Sequence, residues 1–403
     1  MTIQYNHLLA SSSALNFFRV MFRWKGSVWK AVIIELVSWS LCYELIALVY
    51  SHLLSDHHQK MFQSVALGVN KRMGYIPLEF ILGFFVNAVV KRWTDAFHNM
   101  GYLEDQAMLV GNVIRGEDDE SRMMRRTIVR YLCLSQVLVF RDISILVRKR
   151  FPSYESIVKA GLMLESEKCK LRSYKHFEND GDYGRNWAPI NWAFALVIKS
   201  RQRGKIVADI WAGKLCDEIR KFKNCLQILC NYDWVPIPLA YPQFVILAVH
   251  AYFAICLLSR QFAILDGKNV HVTVPMITML QYIFCMGWMK VATSLINPFG
   301  ADENDFECNY LIDKNLATCM CMVDDAYDDL PELKRDQFWC CEKIEPLYAK
   351  DAADIQVNPL IGSAVGTSVN KKTSVSPNGE EMISRREFAQ MQSASASAAT
   401  TPV

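Results

Sequence analysis

The sequence has no constellation for covalent catalysis. No Ser/His/Asp or Cys/His arrangement and no Gly-rich phosphate loop occurs in the 403 residues, so enzyme classes find no machinery here. An excess of either charge is missing: 44 basic and 41 acidic residues leave a formal net charge of +3, which gives no reason to expect a nucleic-acid partner. Paired cysteines are missing too. The 13 cysteines are scattered, several inside apolar runs, and suggest no disulfide framework. Cys319-Met320-Cys321 and Cys340-Cys341 lack a second His or Cys pair at zinc spacing. A cleavable leader is not visible, because Met1 to Leu15 is largely polar and the first basic residues, Arg19 and Arg23, come late. Membrane entry is therefore expected through an internal span.

What is present is apolar length. Hydrophobic residues make up 52% of the chain, charged ones 21%, and mean hydropathy is +0.09. A membrane portion joined to a sizeable water-exposed portion fits these values. Four runs carry the apolar length: Ala31 to Ser51, Met73 to Val90, Trp234 to Ser259 and Val270 to Met289. The last spans twenty residues without Asp, Glu, Lys or Arg, enough to cross ~30 Å of hydrocarbon as a helix. Arg19, Arg23, Lys25 and Lys30 precede the first run, and Lys91 and Arg92 follow the second. The loop before the fourth holds only Arg260, Asp266 and Lys268. Basic residues favour the cytosolic side, which puts both termini and segment 91–233 in the cytosol.

Segment 91–233 reads mainly as helices. Arg122 to Val147 has apolar residues at helical spacing, with Ser135 the one polar gap, and Phe151-Pro152-Ser153 marks a break. Asn179-Asp180-Gly181-Asp182 reads as a plain turn rather than a calcium loop. From Ser363 to Val403 the chain is rich in Ser, Thr and Ala and is expected to be disordered.

Three features could carry function. Glu35, Glu44 and Glu79 fall inside expected spans, where a carboxylate costs roughly 2.5–3.5 kcal/mol and needs a partner, an interface or water. Glu35 is close to Lys30 and could sit at the headgroups; Glu44, nine residues on, lies deeper on the opposite face. Ile76, Phe80 and Phe84 recur every four residues, each step advancing a helix by only ~40°, so they form one stripe. Turned to lipid or a neighbouring helix such a stripe is ordinary; turned to a symmetry axis it is a hydrophobic constriction. Pro77 implies a break in that helix. The third feature is the junction where Ile296-Asn297-Pro298-Phe299-Gly300 stops a helix and Asp302, Glu303, Asp305 and Glu307 follow at once. Orphan carbonyls beside carboxylates suit a hard cation, but carboxylates after a Gly also cap helices. Both readings stay open on the residues alone. An EF-hand is excluded, because Glu307 stands where that loop needs Gly.

Beyond these features, a series of motifs in order over about residues 1–360 resembles the animal bestrophins. They are Met1-Thr2-Ile3, Arg23-Trp24-Lys25-Gly26-Ser27, Ile76-Pro77 through Gly83-Phe84, Lys91-Arg92-Trp93, Arg148 through Ser153, Tyr232-Asp233-Trp234 through Pro238-Leu239, Ser259-Arg260-Gln261-Phe262 and Gly287-Trp288 through Asn297-Pro298-Phe299-Gly300. The resemblance implies an all-α membrane protein, assembled as a homopentamer round one pore and conducting chloride, or bicarbonate and other small anions, when calcium binds. Four membrane-crossing helical regions per subunit and a large cytosolic helical part are implied. The division expected is an N-terminal segment 1–30, spans one and two in 31–99, cytosolic helices in 100–233, spans three and four in 234–296, the clasp and a cytosolic wrap in 297–362, and the tail 363–403. The implied pore neck is Ile76, Phe80 and Phe84, with a cytosolic aperture at Ile206. The implied calcium ligands are the side chains of Asp302 and Asp305 and the carbonyls of Ala10, Ser294 and Asn297. Ala301 and Asn304 stand where acids are usual in the family, which weakens the local field, and Ser294 replaces a usual Gln. Residues Asn358 to Ser363 are similar to a stretch that closes the pore in the family. The alternative is a regulatory or accessory membrane subunit that modulates another channel or conducts only with a paralogue. A transporter is less expected, since residues 1–150 and 200–310 show no internal repeat.

Overall fold

The computed structural model describes residues 5–9, 13–174, 184–265, 268–344, 347–349, 362 and 390. Two short helices, α1 (Asn6–Leu9) and α2 (Ala14–Met21), precede α3 (Val28–His52), α4 (Asp56–Arg72) and α5 (Leu78–His98). Then follow α6 (Glu104–Val113), α7 (Asp119–Ile143), α8 (Ile145–Arg150), α9 (Tyr154–Lys159), α10 (Glu165–Ser173), α11 (Trp187–Gln202) and α12 (Asp209–Trp234). Helix α13 (Ala240–Ser259) leads through an antiparallel hairpin, β1 (Phe262–Leu265) and β2 (Lys268–His271), to α14 (Met276–Leu295) and α15 (Cys308–Val323). The expected all-helical architecture is observed with that hairpin as its exception.

The helices share two hydrophobic cores. The first draws Val32, Trp39 and Tyr43 from α3, Leu82 and Phe85 from α5, Val249 and Phe253 from α13, and Tyr282 and Met286 from α14. Among the described residues, α3 and α13 are long and apolar enough to cross a membrane, and α4 with α5 makes a third candidate bent by 43°. The fourth expected crossing region falls on α14, twenty residues long and carrying Gln281 and Lys290, which is not among these candidates. Two of its expected boundaries need correction. Val270 and His271 pair in β2 rather than opening the helix, and α14 starts only after Pro275 and runs past Met289 to Leu295. Proline lacks an N–H, which suits it to a helix entry and not an interior. Trp234 ends α12, and Pro236 and Pro238 keep the next residues out of helix until α13 begins. Pro77 breaks the α4–α5 pair as its position predicts.

The second core is organised around α7, which packs against α11, α15, α12 and α6. The stretch expected as one helix from Arg122 is divided at Ser144 into α7 and α8. Ser135 is buried, and its hydroxyl donates to the Asn186 carbonyl at 2.7 Å. Deeper still, Gln136 Nε2 donates to the carbonyls of Met100 and Gly101, and Asn315 Nδ2 donates to Gln136 Oε1 and Gly101 O. Such pairing is what a buried amide requires. The expected break at Phe151–Ser153 is present, with Ser153 capping α9. The turn at 179–182 lies outside the described residues.

Residues 332–403 form a separate unit. Its described residues up to 349 form turns and loops, with a Glu332–Lys334 ion pair and the Arg335 guanidinium over the Trp339 ring. Apart from Gly362 and Gln390, the stretch expected to close the pore and the Ser/Thr-rich tail lie outside the described residues.

Candidate functional site

Helix α5 belongs to both cores. Leu78, Leu82, Phe85, Val86 and Val89 bury one face in the first, and Ala96 enters the second. The opposite face begins at the break. Ile76 sits just before Pro77, and Phe80 and Phe84 follow on the exposed side at 36%, 65% and 58% exposure. The Phe80 and Phe84 rings meet edge to face at 4.6 Å. The sequence-predicted stripe is therefore continuous and solvent-facing within one subunit, which leaves it free to meet lipid or further copies of the chain.

Ile206 is placed differently. Gly204 turns the chain after α11 at φ +72°, a value glycine takes without strain, and Arg201 donates to the Ile206 carbonyl at 3.3 Å. This turns the Ile206 side chain fully into the second core, and the exposed apolar residue of the loop is Val207, at 80%. Within this chain the Ile206 side chain is therefore buried.

The acidic loop between α14 and α15 is wedged between the two cores. Phe299 and Phe306 anchor it in the second, Phe306 against Trp93 (5.2 Å), Phe97 (5.7 Å) and Phe299 (5.7 Å). Burying each such ring stabilises the loop by roughly 1.5–3 kcal/mol. The backbone closes on itself as Phe306 N donates to Pro298 O at 2.9 Å. Inside this turn the Asp305 carboxylate is only 5% exposed, and its Oδ2 accepts from Asp302 N at 2.6 Å. Gly300 permits the arrangement: a Cβ there would lie 2.7 Å from Asp305 Oδ2 and 3.6 Å from Asn297 O. Burial, with the Asp302 charge adding to it, holds the Asp305 carboxyl above its ordinary range. Asn297 Oδ1 accepts from Phe299 N at 3.3 Å.

Ser294 lies in the last turn of α14 and shares with Asp302 a cavity of about 300 Å³. The structure thus gathers Ser294, Asn297, Asp302 and Asp305 at one junction, while Ala10 lies outside the described residues. Among the described residues no group of three or more His, Cys, Asp or Glu side chains is placed to hold a metal ion. A calcium ion fits the residues present only as an all-oxygen set of two carboxylates completed by backbone carbonyls. The buried, destabilised Asp305 carboxylate is the feature that favours such a cation. As to capping, Glu307 stands at the N-cap of α15 but makes no side-chain cap hydrogen bond.

Sequence reasoning missed the ion pairs round this loop. Lys30, at the start of α3, pairs with Glu303 at 3.0 Å and holds the Glu303 carboxyl below its ordinary range. Glu35 pairs with Lys290 at 2.5 Å, not with Lys30. The signal was weak, since partners more than 250 positions apart in sequence leave no spacing to read. Glu44 is half-buried on α3, and Glu79 lies exposed in the first turn of α5, where the helix dipole favours a carboxylate.

A family model described as "Bestrophin, RFP-TM, chloride channel" matches residues 1–325. Bestrophin homolog 24 of Caenorhabditis elegans is 45% identical over 367 residues, which cover 90% of this chain and 57% of that protein. Bestrophin homolog 15 of the same nematode is 46% identical over 378 residues, covering 92% and 71% respectively. The chain thus spans little more than half the length of homolog 24. The crystal structure of a bacterial bestrophin homolog from Klebsiella pneumoniae has the same fold, with a TM-score of 0.57 at 18% identity, over 73% of this chain and 99% of that one.

Proposed function

We propose that this chain, which belongs to the bestrophin family, is the subunit of a homopentameric calcium-activated anion channel. The observation that carries the reading is the double role of α5. Its first half presents the exposed Ile76, Phe80 and Phe84 stripe, and its second half offers Trp93 and Phe97 to the loop that bears Asp302 and Asp305. From Phe84 to Trp93 is nine residues, about 14 Å along the helix. Five copies with these stripes turned to a common axis form stacked apolar rings, a neck that blocks ions by dewetting.

A bound calcium ion supplies the positive charge that compensates the Asp302 and Asp305 carboxylates. Asp302 and Asp305, with the carbonyls of Ala10, Ser294 and Asn297, would hold the ion, and Phe306, which packs on Trp93 and Phe97, would pass a change in the 297–306 turn to α5 and so to the neck. Chloride is the expected permeant anion, with bicarbonate and other small anions as further candidates. The second constriction is assigned to the loop holding Ile206 and Val207. Both termini face the cytosol, and the plasma membrane is the proposed location.

Reconstitution of the purified protein in a planar bilayer tests the proposal. Calcium-dependent current reversing near the chloride potential is expected. Silence at every calcium concentration transfers the chain to the accessory-subunit reading.

A further inference from the structure

Helix α14 runs about 30 Å from the acidic loop back to a second feature at its first turn. There a cavity of about 500 Å³ opens between the end of α4, the residues flanking the hairpin and the start of α14. Lys71 and Arg260 border it, no acidic residue lines it among the described residues, and Leu67, Phe262, Met276 and Ile277 make much of the remaining wall. Neither cation has an ion-pair partner among the described residues. Arg260 is held in place by its backbone: its N–H donates to Cys256 O at 3.1 Å and its carbonyl accepts from the Tyr43 hydroxyl at 2.9 Å. Its Nε is buried with no hydrogen-bond partner among the described residues, while the guanidinium also meets the Cys256 thiol. A buried guanidinium N–H with no oxygen acceptor among the described residues, in a cavity shared with a second cation, suits an anion.

The surface leading away from the cavity is apolar. Ile277, Leu280, Phe284, Trp288 and Val291 are all exposed at steps of three and four, so they share one face of α14. We propose that cavity and stripe together bind a phospholipid, its phosphate between Lys71 and Arg260 and an acyl chain along Ile277, Leu280 and Phe284. Charge decides the occupant. An apolar face of a second copy covers the stripe equally well but supplies no anion for the two cations. The inference rests on insertion in a membrane and not on conduction, so a silent bilayer leaves it standing.

The test uses the full-length protein, purified in detergent and stripped of lipid. It is offered phosphatidylglycerol, diacylglycerol or inorganic phosphate, and bound molecules are counted by native mass spectrometry. Phosphatidylglycerol is expected to be retained about fivefold or more over diacylglycerol, the scale of one charge-assisted contact. Lys71→Gln, a change at an exposed side chain, should bring retention down to the diacylglycerol level, and Ile277→Ser should weaken it by a smaller factor. Equal retention of the two lipids, or no effect of Lys71→Gln, overturns the proposal. Inorganic phosphate that displaces the lipid and binds as tightly makes this a free-anion site and also overturns it. So does an Ile277→Asp variant that dissociates into single chains while keeping its lipid, because the stripe is then an interface between copies.

Discussion

The neck and the acidic loop break the usual partition of residues in opposite directions. At the neck, Ile76, Phe80 and Phe84 are apolar and exposed; in the loop, Asp305 is charged and buried. An exposed apolar stripe acquires its role only when something else, lipid or further subunits, completes the surface. A buried carboxylate makes its demand within the single chain, since burial disfavours its charge and a compensating cation relieves that. Neck and loop are joined by the Phe306 contacts with Trp93 and Phe97 at the far end of the neck helix.

The largest expected effect breaks the clasp alone. Asp305→Ala removes one of two charged ligands and should raise the calcium giving half-maximal current by about tenfold or more, with maximal current retained. An unchanged dose response in bilayer recordings contradicts the assignment. Breaking the neck alone should have the complementary result. Ile76→Ala, Phe80→Ala and Phe84→Ala together should let current flow with calcium buffered away, and a triple variant as calcium-dependent as the parent removes the neck as the controlled gate.

A gentler probe is pH. The Asp305 carboxyl titrates above its ordinary range in the folded, cation-free chain, so its contribution to stability is present at low pH and fades as pH rises through that raised value. Calcium requires the ionised form. Its apparent affinity should therefore fall as pH drops through the same window, and Asp305→Asn should flatten the dependence in a calcium-titrated melting experiment. The smallest effect belongs to Lys30→Gln, which releases the exposed Glu303 from its pair. A change of about twofold in half-activating calcium, vanishing at high salt, is expected from so exposed a pair.

Much of this arrangement was legible in the sequence, for identifiable reasons. Pro77 and the four-residue spacing of Ile76, Phe80 and Phe84 are local signals, and the structure has the break and the exposed stripe where they point. The stop at Asn297–Gly300 followed by carboxylates is equally local. What local reading missed depends on tertiary contact. A run free of charge at Val270 looked like one helix because hydropathy does not distinguish a strand from a helix entry, and Pro275 was the overlooked marker. Ile206 faces the core because of a backbone turn at Gly204, which no apolar pattern encodes. The Lys30–Glu303 and Glu35–Lys290 pairs join residues far apart in the chain.

The most direct test of the central claim is current through a planar bilayer holding only this protein, under a chloride gradient, with calcium buffered low and then raised. Current that appears with calcium and reverses near the chloride potential is the predicted result. Current indifferent to calcium would contradict the coupling of clasp to neck, and no current at any calcium concentration would contradict the channel itself.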